Sequence, residues 1–181
     1  MGLRATLDAL TPRSPTEAAD LAAVRGVLDR GGDPWSRDTP LHVTCSAVVV
    51  HAPTRRVLLR WHRRQRAWLQ VGGHADPGEH DPFAVALREA AEETGLSDLT
   101  PWPEADAPAV VHLAVVSVPA SGNEPAHEHA DLRYVLATDH PDDVAPEAPD
   151  APLRWLDLDE ANALTAEDNL RETLARIEAV L

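Results

Sequence analysis

The chain has 181 residues, 44% hydrophobic and 25% charged, and a formal net charge of −14 from 30 acidic and 16 basic residues. That size fits one domain with a small extension, and the acidic excess excludes a general nucleic-acid binder, whose affinity rests on neutralising phosphates. No apolar run approaches the roughly 20 residues of a membrane span; the opening MGLRATLDALTPRSP lacks a signal-peptide core, and the single cysteine excludes an internal disulfide, so a reducing cytoplasm is expected.

Residues 1–34 read as helical. Ser14-Pro15 is a start signal, with Glu17 three residues after Ser14. Leu21, Val24 and Leu28 recur at helical spacing, and Gly31-Gly32-Asp33-Pro34 stops the helix. The expectation is an N-terminal helical extension (1–38) packed on a main domain (39–181), its helix offering a surface for a homodimer. A β-rich core follows. LHVTCSAVVVHA is dense in β-branched residues, Pro53-Thr54 makes a turn, and RRVLLRWH reads as the hairpin partner. Cys45 lies in the first of these strands with nothing beside it to activate a thiolate, so it reads as buried filler. AWLQVGG reads as a third extended segment ending in glycines. After a central helix, AVVHLAVVSVPA and HADLRYVLATD read as strands joined by the polar SGNEPAHEH. DHPDDVAPEAPDAP is an acidic, proline-rich surface loop. LRWLDLDEANAL reads as a short strand leading into a turn, and AEDNLRETLARIEAVL as an amphipathic helix with Leu170, Leu174, Ile177 and Leu181 on one face. Helix, strands, helix, strands, helix predicts an α/β fold with a mixed β-sheet between helices, not a regular βαβ winding.

The central helix carries the chemistry, in GGHADPGEHDPFAVALREAAEETGL, from Gly72 to Leu96. Asp81-Pro82 is a strong start and Gly95 a natural stop. Glu89, Glu92 and Glu93 stand at i, i+3 and i+4, which brings them onto one face. Three like charges there cost helix stability unless something cationic sits among them. Arginine could do so, and so could a divalent metal, since carboxylate oxygens suit magnesium or manganese. Metal is also how an acidic protein can hold a phosphorylated small molecule.

The stretch resembles the Nudix box of Nudix hydrolases. That pattern is Gly, five residues, Glu, seven residues, then Arg-Glu-apolar-x-Glu-Glu-x-Gly-apolar. Gly73, HADPG and Glu79 match its front half, and Arg88 to Leu96 its back half. HVTCSAVVV resembles the family's first core strand, and WLQVGGH the strand leading into the box. One departure stands between the halves: His80 to Leu87 is eight residues where the pattern has seven. An insertion inside the helix would rotate its two ends relative to each other by about 100°. Family helices commonly begin at a Ser-Pro or Asp-Pro pair seven residues before the arginine, and Asp81 lies seven before Arg88. The extra residue therefore belongs to the loop, at His80, and Glu79 is the position it puts at risk.

The resemblance implies an α/β/α sandwich and hydrolysis of a diphosphate linkage, often in a nucleotide, with Mg2+ or Mn2+. It implies a small-molecule diphosphate as partner, with no nucleic acid duplex and no membrane. Glu89, Glu92 and Glu93 would hold metal with the backbone carbonyl of Gly73, Glu89 doubling as base toward water. Arg88 would orient Glu89, and Glu79 would join the outer metal shell. Outside the box, Arg60, Arg63, Arg64 and Arg66 could clamp phosphates or form a solvated hairpin edge; Arg60, at a strand end, is the choice among them. His74 follows the glycine pair and could line the site. Glu124 and Glu128 are candidates for the further carboxylate that the family often supplies from a loop beyond the box. His127 and His129, as His-x-His, could suggest zinc. None of the five tryptophans is singled out as a stacking platform. Two rivals share the fold: a catalytically weak domain that senses a nucleotide ligand, favoured only by the shifted Glu79, and a prenyl diphosphate isomerase, disfavoured because one cysteine cannot supply a catalytic pair.

Overall fold

The computed structural model describes residues 1–122 and 124–181; Asn123, within the predicted SGNEPAHEH connection, lies outside the described residues. Helices α1 (Leu3–Ala9) and α2 (Pro15–Asp29) come first. Strands β1 (Leu41–His51), β2 (Arg56–His62), β3 (Ala67–Leu69) and β4 (Val71–Gly73) lead into α3 (Pro82–Thr94). Then follow β5 (Thr100–Pro101), β6 (His112–Val118), β7 (His127–Ala137), β8 (Leu153–Leu156), α4 (Leu158–Leu164) and α5 (Asp168–Glu178).

All strands join one mixed sheet. β1 is its axis: it runs parallel to β7 and antiparallel to β2 and β4. Alternation sorts β1 between two cores. Val43, Cys45, Ala47 and Val49 face α1, α2 and α3, while Val48 and Val50 join Leu170, Leu174 and Ile177 of α5. The result is the expected sandwich, a mixed sheet with helices on both faces. Cys45 is fully buried, and burial raises its thiol well above the ordinary range.

The N-terminal helices are part of this core. Leu3, Leu7, Leu21 and Val24 are buried in it. Ser14 accepts from the Glu17 amide at 3.1 Å, as the cap signal predicts. The Glu17 carboxylate also accepts from the Leu113 amide of β6 at 3.0 Å and from Arg176 of α5 at 2.8 Å. One carboxylate in the first turn of α2 thus ties the start of the chain to its middle and its end.

Three local readings differ from the structure. AWLQVGG divides at Gln70 into β3 and β4, because β3 pairs with β2 and β4 pairs with β1. The turn expected after Leu156 is helix α4, closed by a reciprocal capping box between Asp157 and Glu160. The two-residue β5, containing a proline, had no sequence signal. No helix among the described residues is long and apolar enough to cross a membrane.

Candidate active site

α3 keeps its register from end to end. Asp81 caps it by accepting from the Phe83 amide at 3.1 Å, and Gly95, at φ +71°, ends it by donating to the Ala91 carbonyl at 2.8 Å. The extra residue lies in the loop before it, where His80 is exposed. That loop closes on itself: the Glu79 amide donates to the Asp76 carbonyl at 2.9 Å, and the Asp76 amide to the Glu79 carboxylate at 2.8 Å.

β4 passes close under α3 because its last two residues have no side chains. Gly72 pairs with Ser46 at φ +149°, and a Cβ there would lie 2.4 Å from the Ser46 Cβ and 2.5 Å from its Cα. A Cβ on Gly73 would lie 2.8 Å from the Glu89 carboxylate. The Gly72 amide donates to Glu93 at 3.0 Å. The glycine pair thus brings bare backbone against two of the helical carboxylates.

Arg88 gathers the rest. It donates to Glu79 through Nε at 3.0 Å and a terminal nitrogen at 2.9 Å, to Glu89 at 2.9 Å, to Glu92 at 2.9 Å and to the His74 carbonyl at 2.9 Å. Glu79 therefore reaches the same cation as Glu89 and Glu92 despite the longer loop. Its hydrogen bond with Arg88 holds its carboxyl below the usual range. Glu93 turns the other way, to Arg60 on β2 at 3.0 Å. Burial pushes its pKa up to about 7, although Arg60 and the Gly72 amide pull it down. Burial likewise raises Glu89 against the pull of Arg88.

The cation that the helix needed is thus arginine, supplied twice, by Arg88 and Arg60. The donor set still fits a hard divalent ion. Its ligands are carboxylate oxygens, two of them resist ionisation where they stand, and the Gly73 backbone is bare beside Glu89.

A cavity of about 180 Å³ opens on the other side of the glycine pair. Thr44, Ser46, Gln70, His74, His129, Asp131 and Arg133 contribute to its wall. Asp131 accepts from Thr44 at 3.1 Å, Ser46 at 2.9 Å, Gln70 at 2.9 Å and Arg133 at 2.8 Å. Burial alone would raise its pKa, but Arg133 and the hydroxyls hold it below the usual range. Arg133 is fixed in turn by Asn169 at 2.7 Å and Thr173 at 2.9 Å.

Of the predicted residues, the structure brings Gly73, Glu79, Arg88, Glu89, Glu92, Glu93 and Arg60 into one connected group. His74 joins it through its backbone and points its ring into the cavity. Glu124 and Glu128 are not part of the group. Glu124 pairs with Arg64 at 2.7 Å in an exposed loop. Glu128 is exposed and alternates away from His129 and Asp131 along β7, beside Ser117 and Pro119. Trp102 and Trp155 spend their indole N–H groups on the carbonyls of Val180 and Pro141, and no tryptophan lines the cavity. Sequence reasoning missed His42, Thr44, Ser46 and Arg133. The available signal was period-two polarity inside apolar strands: H-x-T-x-S on β1 and H-x-D-x-R on β7.

The sequence model of the NUDIX domain matches residues 40–177. Solved structures of similar fold include a C. elegans Ap4A hydrolase, with TM-score 0.59 and 21% identity over 76% of this chain and 95% of that one. The E. coli dihydroneopterin triphosphate pyrophosphohydrolase aligns with TM-score 0.56 and 20% identity over 74% and 92%. A Nudix hydrolase from M. smegmatis aligns with TM-score 0.54 and 20% identity over 77% and 84%. No curated protein matches the chain.

Proposed function

The chain belongs to the Nudix family, and on that premise we propose that it is a metal-dependent hydrolase of a diphosphate linkage in a nucleoside diphosphate derivative or a related compound. The observation that carries this reading is the convergence of Glu79, Glu89 and Glu92 on Arg88, with the Glu89 carboxylate held against Gly73. Three structural neighbours are named as hydrolases, two of them with a substrate, Ap4A and a triphosphate; at about 20% identity they accord with the class of reaction and leave the substrate open.

In this reading Glu89, Glu92 and Glu93 would hold Mg2+ or Mn2+ with the Gly73 carbonyl, with Glu79 behind them. When bound, the ion neutralises phosphate charge and lowers the pKa of water. Arg88 holds Glu89 in place, and Glu89 accepts the proton of the attacking water. Arg60, now paired with Glu93, would be free to bind phosphate wherever Glu93 served as a metal ligand. The cavity beyond Gly72 takes the organic group of the substrate, with the phosphates left at the helix.

Phosphate and nucleotide release from a panel of diphosphates, with and without Mg2+, tests the reading. Wild type should turn over at least one compound only with metal, and Glu93→Gln should lose at least about 100-fold. Equal activity in Glu93→Gln would remove the assigned site. Tight ligand binding without turnover would select the sensor instead. That rival drew on a displaced Glu79, and the placement of Glu79 on Arg88 takes this support from it.

A further inference from the structure

Four of the nine histidines meet at one place, and the chemistry above uses none of their rings. His42 on β1 stands opposite His129 on the parallel strand β7. His74 enters from the end of β4, and His127 lies two residues before His129. Ring centroids are 5.1 Å apart for His42–His74, 4.9 Å for His42–His129, 4.8 Å for His74–His129 and 5.1 Å for His42–His127. Nitrogens of His42, His74 and His129 all lie within 4.8 Å of one another.

Two of the rings are oriented by backbone. His42 Nδ1 is 2.8 Å from the Thr39 carbonyl, and His127 Nδ1 is 2.9 Å from the Pro125 carbonyl. A carbonyl can only accept, so each Nδ1 carries the proton and each Nε2 presents a lone pair to the cluster. His74 Nε2 lies 3.1 Å from that of His42, and His129 Nε2 3.1 Å from that of His127. Without an ion, one proton between the two Nε2 atoms of each pair accounts for both contacts. Anchoring one ring nitrogen on a carbonyl while the other faces inward is also how proteins orient metal-binding histidines.

We propose that His42, His74 and His129 form a second metal centre, separate from the α3 carboxylates, that takes a borderline transition-metal ion such as Zn2+. Ligand chemistry partitions the two sites. Imidazole nitrogens select zinc, copper, iron or nickel, whereas carboxylate oxygens select magnesium or manganese. Zinc–nitrogen bonds of about 2.0–2.1 Å require the rings to close inward by about 1 Å, which side-chain rotation supplies. His74 and His129 both line the cavity, so the remaining coordination position faces it. Three protein ligands and one open position is the arrangement of a zinc ion that meets a ligand or a water. An oxygen or nitrogen of a molecule in the cavity would complete it. His127 flanks the centre.

The test is a titration of the metal-stripped full chain with Co2+ in saturating Mg2+, read by visible absorption, with Zn2+ titrated calorimetrically in parallel. One equivalent of Co2+ should bind with the intense visible bands of a low-coordinate nitrogen site. This signal should survive both Mg2+ and Glu92→Gln, and His42→Ala or His129→Ala should weaken it at least tenfold. A Co2+ signal that Mg2+ displaces, that Glu92→Gln abolishes, or that the histidine variants leave intact would overturn the proposal. Should the alanine variants fail to fold, wild-type imidazole NMR decides. Zn2+ should shift the resonances of His42, His74 and His129, and unchanged resonances in excess Zn2+ would equally sink the centre.

Discussion

Arg88 and Arg133 each donate to several acceptors, yet Arg88 stands 22% exposed on α3 and Arg133 is 1% exposed between β7 and α5. Arg133 has one carboxylate, Asp131, and otherwise neutral partners. Its charge is matched, and the network is closed. Arg88 bonds three carboxylates with a fourth, Asp76, 4.0 Å away, and Glu93 beyond them relies on Arg60. That group keeps a negative excess and part of it stays open to water. The comparison separates a buried ion pair that holds strands to a helix from an under-neutralised one suited to receive a cation.

Breaking each arginine should give opposite signatures. Arg133→Met leaves Asp131 buried without its partner and should cost about 3–5 kcal/mol, read as a lower urea midpoint. Arg88→Met should cost only about 1 kcal/mol, since Glu92 and Glu79 can turn to water and the half-buried Glu89 can take up a proton, while metal-dependent hydrolysis falls at least about tenfold because Glu89 loses its orientation. Equal stability losses in the two variants would erase the distinction.

The glycine pair offers a second contrast. Gly72→Ala drives a Cβ into Ser46 backbone and should cost about 3 kcal/mol or more in thermal unfolding. Gly73→Ala meets only the far end of the Glu89 side chain. It should fold, with its damage confined to metal affinity and turnover.

The acid limb of stability should be set by the buried imidazoles. Burial depresses His74 to about 3, and His112 and His129 to about 4. Below pH 6.5 the unfolded chain takes up protons that the folded chain refuses until about pH 4, so the contribution of these imidazoles is full above pH 6.5 and falls as pH drops through that window, while Glu93, raised to about 7, acts in the opposite sense. His112→Asn keeps the site intact and should flatten the slope between pH 6.5 and 4 in denaturant melts. The smallest effect is expected at the helix start: Asp81→Ala removes a cap worth about 1 kcal/mol. It should leave hydrolysis nearly unchanged, because the register of α3 is fixed along its whole buried face.

The box was legible because its chemistry is local. Residues three and four apart on a helix share a face whatever surrounds them, and Asp81-Pro82 and Gly95 mark the ends of that helix. The same locality put the extra residue in the loop. What locality could not give was where that loop returned Glu79; a bidentate bond to Arg88, nine residues on, decided it.

By itself the sequence determined the order of the main strands and helices, the capped register of α3 and the carboxylates it carries, because backbone propensity and helical period act over a few residues. Only the tertiary structure decided which arginine answers which carboxylate, that Glu124 and Glu128 stand apart, and that His42, His74 and His129 converge. Those outcomes depend on the pairing of β1 with β4 and β7, contacts between segments far apart in the chain, and side-chain alternation then fixes which residues meet on each face of the sheet.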